Sequence, residues 1–165
     1  MKKLGMRGRK GLKIVHLILA GLWLGGAVTL NLMVLALGPA ETGPELYGYD
    51  LARRFVDDFV IVPAAMGCLV SGFLISWLTP WGFFRHRWVT VKWALTVACI
   101  LIGVIVLGPP VNEQAGISET LGLLAPDNAE YAANRLSTLL GGLALILAIL
   151  FMLVISVLKP WQKNK

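Results

Sequence analysis

Four long stretches carry no formal charge: residues 14–40, 59–84, 93–112 and 136–158. A helix crosses the hydrocarbon core of a bilayer with about 20 mostly apolar residues. Each stretch reaches that length. Strands of a membrane barrel would be about 10 residues long and alternate in polarity, and no segment alternates in that way. With 57% of its residues hydrophobic and a mean hydropathy of +0.75, the chain is too apolar for an ordinary soluble domain. The pattern predicts an all-α protein, a four-helix transmembrane bundle with the lipid bilayer as its solvent.

The charges between the stretches are sorted by sign. Lys2, Lys3, Arg7, Arg9, Lys10 and Lys13 precede the first, Arg85, Arg87 and Lys92 lie between the second and third, and Lys159, Lys163 and Lys165 follow the fourth. Those segments hold 12 of the 15 basic residues and none of the 9 acidic ones. Short loops rich in Lys and Arg stay on the cytoplasmic side. The chain is therefore expected in the plasma membrane, multi-pass, with both termini cytoplasmic (N-in/C-in) and an up-down-up-down order that makes the first and third spans parallel. The net charge of +6 follows from this flanking and from attraction to anionic lipid. It does not call for a nucleic-acid partner.

Local signals place the spans at about 12–37, 51–78, 88–108 and 127–158, within a single integral membrane domain covering 1–165. The first apolar run is too long for the core of a cleaved signal and reads as a retained span. Gly38-Pro39 ends it, and residues 41–49 read as an outer loop with Asp50 as the next helix cap. Arg53–Asp57 and Arg54–Asp58 have the spacing of i,i+4 ion pairs. Pro63, inside the second span, removes a helical donor and predicts a kink. The third span is expected to stop at Gly108-Pro109-Pro110. Residues 111–126 form the longest connection, and 117–124 are apolar enough to lie on the membrane or over the bundle. Asp127 to Glu130 gives a capping-box-like start for the last helix. Trp77, Trp81, Trp88 and Trp161 fall near the inner boundary as aromatic anchors. Cys68 and Cys99 read as small apolar fillers on different helices. Gly25, Gly26, Gly141 and Gly142 allow close helix approach, within the chain or in a homo-oligomer.

Ionisable groups inside a membrane are costly, so each is a candidate functional residue. His16 lies about one turn into the first span and Lys92 about one turn into the third. Parallel spans bring the two to one depth, where they can face a common pocket. Imidazole is a common haem-iron ligand, although an interfacial histidine and a lysine snorkelling to the headgroups account for the same positions. Ala20 and Trp23 share the face of His16 and suit either a flat macrocycle or plain helix packing. Arg135, near the outer boundary, is expected to meet Asp57 and Asp58 in a salt-bridge cluster. His86, between Arg85 and Arg87, reads as a solvated loop residue. HExxH, CxxC, P-loop and nucleophile-elbow motifs are absent. No carboxylate lies deep enough in a span for an ion-driven transporter.

The order Lys13, His16, Trp23, Gly25, then Arg54-Phe55, Pro63-Ala64-Ala65-Met66 and Gly72, then Trp88 and Lys92, with Leu158-Lys159-Pro160-Trp161 at the end, resembles an uncharacterised family of small bacterial four-helix integral membrane proteins. It is similar also to the HemJ-type protoporphyrinogen oxidases and, more weakly, to the copper-resistance D family. The oxidase resemblance implies haem b, with His16 as the iron ligand and Lys92 and Trp23 serving the cofactor. It would make the chain a membrane oxidoreductase. At residues 134–138, Asn-Arg-Leu-Ser-Thr departs from the oxidase family's Asn-Glu-x-Pro type motif, which argues against the oxidase reaction and leaves haem binding open. The rival reading is a non-enzymatic membrane protein, an assembly subunit or a copper-handling factor without haem.

Single cysteines introduced before residue 13 and in the 85–87 turn are expected to react with an impermeant thiol reagent from one and the same side of sealed vesicles. Labelling from opposite sides would refute the topology.

Overall fold

The computed structural model describes residues 4–160. Trp161, Lys2, Lys3, Lys163 and Lys165, named above as anchor and flanking charges, lie outside the described residues. Four helices are long and apolar enough to cross a membrane: Met6–Ala36, Gly43–Leu78, Arg87–Asp127 and Ala129–Leu158. They form the expected all-α four-helix bundle of a multi-pass membrane protein.

The rods alternate in direction. The start of the first meets the end of the second, where the Leu4 N–H donates to the Leu78 carbonyl at 3.1 Å. Trp93 Nε1, early in the third rod, donates to Ser76 Oγ at 3.1 Å. Arg135 Nη2, early in the fourth, donates to the Val34 carbonyl at 3.1 Å. The first rod packs on the second and fourth, and the third closes the ring against the same two. The first and third rods are therefore diagonal. Leu4, Lys159 and the 79–86 turn define one end of the bundle, the terminal end; the 37–42 and 122–128 connections define the other, the loop end.

The rods are less uniform than their sequences suggest. Helix α1 spans Met6–Ala36. The second rod is α2 (Gly43–Val56), a π-helical turn (Asp57–Ile61) and α3 (Val62–Leu78). The third is α4 (Arg87–Leu101), a π-turn (Ile102–Leu107), α5 (Gly108–Leu121) and a 3-10 turn (Gly122–Asp127). Helix α6 spans Ala129–Leu158.

Three local expectations are corrected. Residues 43–49 are helix rather than loop, because Thr42 caps α2 by accepting the Glu45 N–H at 3.3 Å while Glu45 Oε2 accepts the Glu41 N–H at 2.7 Å. Asp50 is thus an interior helical residue and not the cap. The helix of the third span does not break at Gly108-Pro109-Pro110 but runs on through α5. The preceding π-turn ends with the Gly108 N–H bonded to the Gly103 carbonyl, and the prolines sit in the first turn of α5, where missing donors cost least. The cap of α6 is Asn128, whose Oδ1 accepts from Glu130 and Tyr131 at 2.9 and 3.0 Å, and not Asp127.

At about 1.5 Å per residue, rods of 36 and 41 residues outrun a core about 30 Å thick. Their excess, α2 and α5, packs together beyond the apolar segments at the loop end. The central core joins Trp23, Ala64, Ala65, Cys68, Cys99, Ile149 and Met152, and both cysteines are free thiols within it. Large apolar side chains such as Leu17, Ile18, Leu147 and Phe151 point outward, as lipid-facing residues do. Trp81 and Trp88 lie 5.4 Å apart at the terminal end, with Lys159 Nζ 5.0 Å over the Trp81 ring.

The glycines divide by use. A Cβ at Gly26 would lie 2.8 Å from Ile61, and one at Gly141 would lie 2.5 Å from Leu107. One at Gly142 would strike the Asn31 amide, whereas one at Gly25 meets nothing within 4 Å. Gly142→Leu is therefore expected to cost about 1–3 kcal/mol through overpacking. Gly25→Leu should stay within about 0.5 kcal/mol. Thermal unfolding of the detergent-solubilised variants measures both.

Candidate functional site

His16 and Lys92 lie at the terminal end on the two diagonal rods, and each is held by a serine of a neighbouring helix. His16 Nδ1 is 2.8 Å from Ser71 Oγ. Lys92 Nζ donates to Ser156 Oγ at 2.6 Å. The serines are used alike. Ser71 Oγ is 2.6 Å from the Gly67 carbonyl, and Ser156 Oγ is 2.6 Å from that of Met152. Each hydroxyl thus sends its one proton four residues back along its own helix and has only lone pairs left for the facing side chain.

This assigns the histidine tautomer. With the Ser71 proton committed to Gly67, the His16–Ser71 bond requires Nδ1–H as donor, and Nε2 carries a free lone pair. Metal-binding histidines are held in this way, with one ring nitrogen ligating while the other donates to a fixed partner. The absence of a side chain at Gly72 makes room for the ring: a Cβ there would sit 3.5 Å from His16 Cε1. Lys92 keeps two N–H donors beyond the one given to Ser156.

The donor requirement of a haem ligand is met by His16, and a carboxylate such as a propionate would find donors at Lys92. Trp23, only 4% exposed, belongs to the central core and to the wall of a cavity of about 70 Å³ toward the loop end. His16 and Lys92 do not line that cavity. His86 sits at the N-cap position of α4 with its ring 5.5 Å from that of Trp81. Among the described residues, no three His, Cys, Asp or Glu side chains converge on one point.

A second polar constellation, at the loop end, escaped sequence reasoning. Arg53 is 4% exposed. Its Nη1 donates to Asp50 Oδ1 at 3.2 Å and to Gln114 Oε1 at 2.7 Å, and its Nη2 donates to Thr138 Oγ1 at 3.1 Å. Tyr131 OH donates to Asp50 Oδ2 at 2.8 Å. Gln114, Tyr131 and Thr138 are 2% exposed or less. The expected Arg53–Asp57 pair is therefore replaced by Arg53–Asp50, on the inward face of α2. Arg54–Asp58 forms as expected, at 3.5 Å on the surface. The cluster of Arg135 with Asp57 and Asp58 does not form. Arg135 turns instead to the backbone of α1, since the Val34 carbonyl at a helix end lacks an intrahelical donor. The spacing Asp50-x-x-Arg53 was the one available signal. Nothing local points to Gln114, 61 residues further on.

Comparison with protein-family models, with curated proteins and with solved structures finds no match to this chain.

Breaking the buried pair from one side strands the other charge, so Arg53→Ala is expected to cost about 3–5 kcal/mol. The double variant Arg53→Met, Asp50→Asn removes both charges and should recover part of that loss. Thermal unfolding in detergent checks the order of the two.

Proposed function

We propose that this chain is a plasma-membrane protein, with both termini cytoplasmic, that binds b-type haem at the terminal end and serves a redox role. The carrying observation is the His16 tautomer: a serine-anchored Nδ1–H that leaves Nε2 free to ligate. When bound, haem supplies one-electron chemistry whose potential is set by its axial ligands and surroundings. The chain's own residues hold and orient. Ser71 fixes the ring plane of His16, and Ser156 tethers the Lys92 ammonium. Lys92, a hydrogen-bond donor in this arrangement, fits a propionate contact better than iron ligation. The sorting of charge along the sequence supports the cytoplasmic side for this end.

The rival reading, a non-enzymatic subunit, relied on Gly25, Gly26, Gly141 and Gly142 as partner contacts. Gly26, Gly141 and Gly142 are engaged within the chain, which leaves Gly25 alone for a partner.

Protein purified in detergent, or reconstituted with excess haem, is expected to show a Soret band. The band should vanish in His16→Ala and persist in His86→Ala. Ser71→Ala should weaken haem affinity about 10–100-fold, the usual effect of losing the partner that orients a ligand. A protein that stays colourless with excess haem refutes the proposal.

A further inference from the structure

The cavity of about 70 Å³ is walled by all four rods and lies between the central core and the Arg53 constellation. It is partly open between the second and third rods, where Val62, Met66 and Val104 of its lining are exposed, and it has room for water or a small ion.

Its polar wall is short of partners. Asn31 is 4% exposed. Its Nδ2 donates to the Ala27 carbonyl at 3.0 Å, and its Oδ1 has no partner. The amide cannot be reversed without placing two carbonyl oxygens together, so the bare atom is the acceptor. Asp57 lines the same space. Both neighbouring arginines are taken, Arg53 by Asp50 and Arg54 by Asp58. Among the described residues Asp57 has neither an ion pair nor a side-chain hydrogen bond. Arg135 from the fourth rod is turned to the Val34 carbonyl and is not in the wall. Thr138 faces the cavity but is saturated, receiving Arg53 and Gln114 and donating to the Asn134 carbonyl at 2.9 Å.

The backbone adds a third observation. Both π-turns border this cavity, through Asp57 and Ile61 of one and Gly103, Val104 and Leu107 of the other. The Val62 N–H reaches back to the Asp57 carbonyl and Pro63 has no N–H, so the Asp58 carbonyl lacks a helical donor. Single π-turns inside long helices concentrate at functional sites. At membrane depth, irregular backbone is tolerated where it is buried or lines a cavity.

An unpartnered buried amide oxygen and a half-buried carboxylate that line one partly open space are a donor set for a hard cation. We infer that this cavity binds one small monovalent cation of the sodium class, ligated by Asp57 and by Oδ1 of Asn31. One carboxylate balances one positive charge. A divalent ion would keep net charge in an apolar medium. The inference is independent of haem, and its test reads no haem signal.

The test is thermal unfolding of the purified protein in detergent at fixed ionic strength, with NaCl exchanged against choline chloride. A saturable rise in Tm with sodium is expected. It should be lost in Asp57→Asn and in Asn31→Leu, and kept in Asp58→Asn. Sodium-23 NMR on the unmodified protein gives a second reading: line broadening that excess sodium saturates. Equal Tm in the two salts, with no broadening, overturns the site. A response to pH that is the same in sodium and in choline overturns it in favour of a proton on Asp57. A larger rise with CaCl2 at equal ionic strength overturns the monovalent assignment.

Discussion

Arg53 is a permanent charge held at 4% exposure, and the loop end of the molecule is organised around satisfying it. A guanidinium has five N–H donors and no acceptor. Taking it from water is affordable only with a paired anion and good hydrogen-bond geometry. Asp50 supplies the anion from the same helix. Gln114 and Thr138 bring α5 and α6 to the same guanidinium, and Tyr131 secures the far oxygen of Asp50. Apolar side chains seal one flank, where Leu46, Ala125 and Tyr131 form a small core of their own. Three helices, two of them distant in sequence from α2, are thereby fastened at one point. The bundle beneath it needs that fastening, since lipid gives its apolar surfaces little reason to prefer each other.

The terminal end solves a similar problem with fewer parts. His16 and Lys92 are each met by a serine whose proton has already gone to its own helix. That choice fixes a direction. The serine accepts, and the imidazole and the ammonium donate. The two ends differ in reach. At the loop end the network ties α2, α5 and α6 together around Arg53 and leaves its Nε without a partner, and at the terminal end each polar side chain is met by a single serine. The cavity between them is flanked by the π-turns, where the second and third rods depart from regular helix.

The legible and illegible parts of the sequence separate along physical lines. Membrane crossing was legible because it depends only on local composition: stretches of about 20 uncharged residues in the right number. The pair His16 and Lys92 was legible because an ionisable residue in an apolar run is conspicuous against its neighbours. Asp50 and Arg53 lie in a polar stretch where such residues are ordinary, and so read as a helix cap and one half of an i,i+4 pair, while Gln114 carries no local signal. Arg53–Asp57 and Arg53–Asp50 are both feasible helix spacings. The choice between them depends on which face of α2 meets α5, a fact absent from either segment alone.

Composition and the order of charges determined that this chain is a helical membrane bundle, and placed a histidine and a lysine near one end of it. Tertiary structure alone decided that α2 and α5 continue beyond the apolar rods and pack together, that Arg53 is buried, that Nδ1 of His16 carries the proton, and that Asn31 and Asp57 share a cavity. The first set follows from the transfer of each segment into lipid, a property summed over neighbours in sequence. The second depends on which donors and acceptors meet across 55 to 85 residues of chain, and burial makes each such meeting obligatory only after the helices have packed.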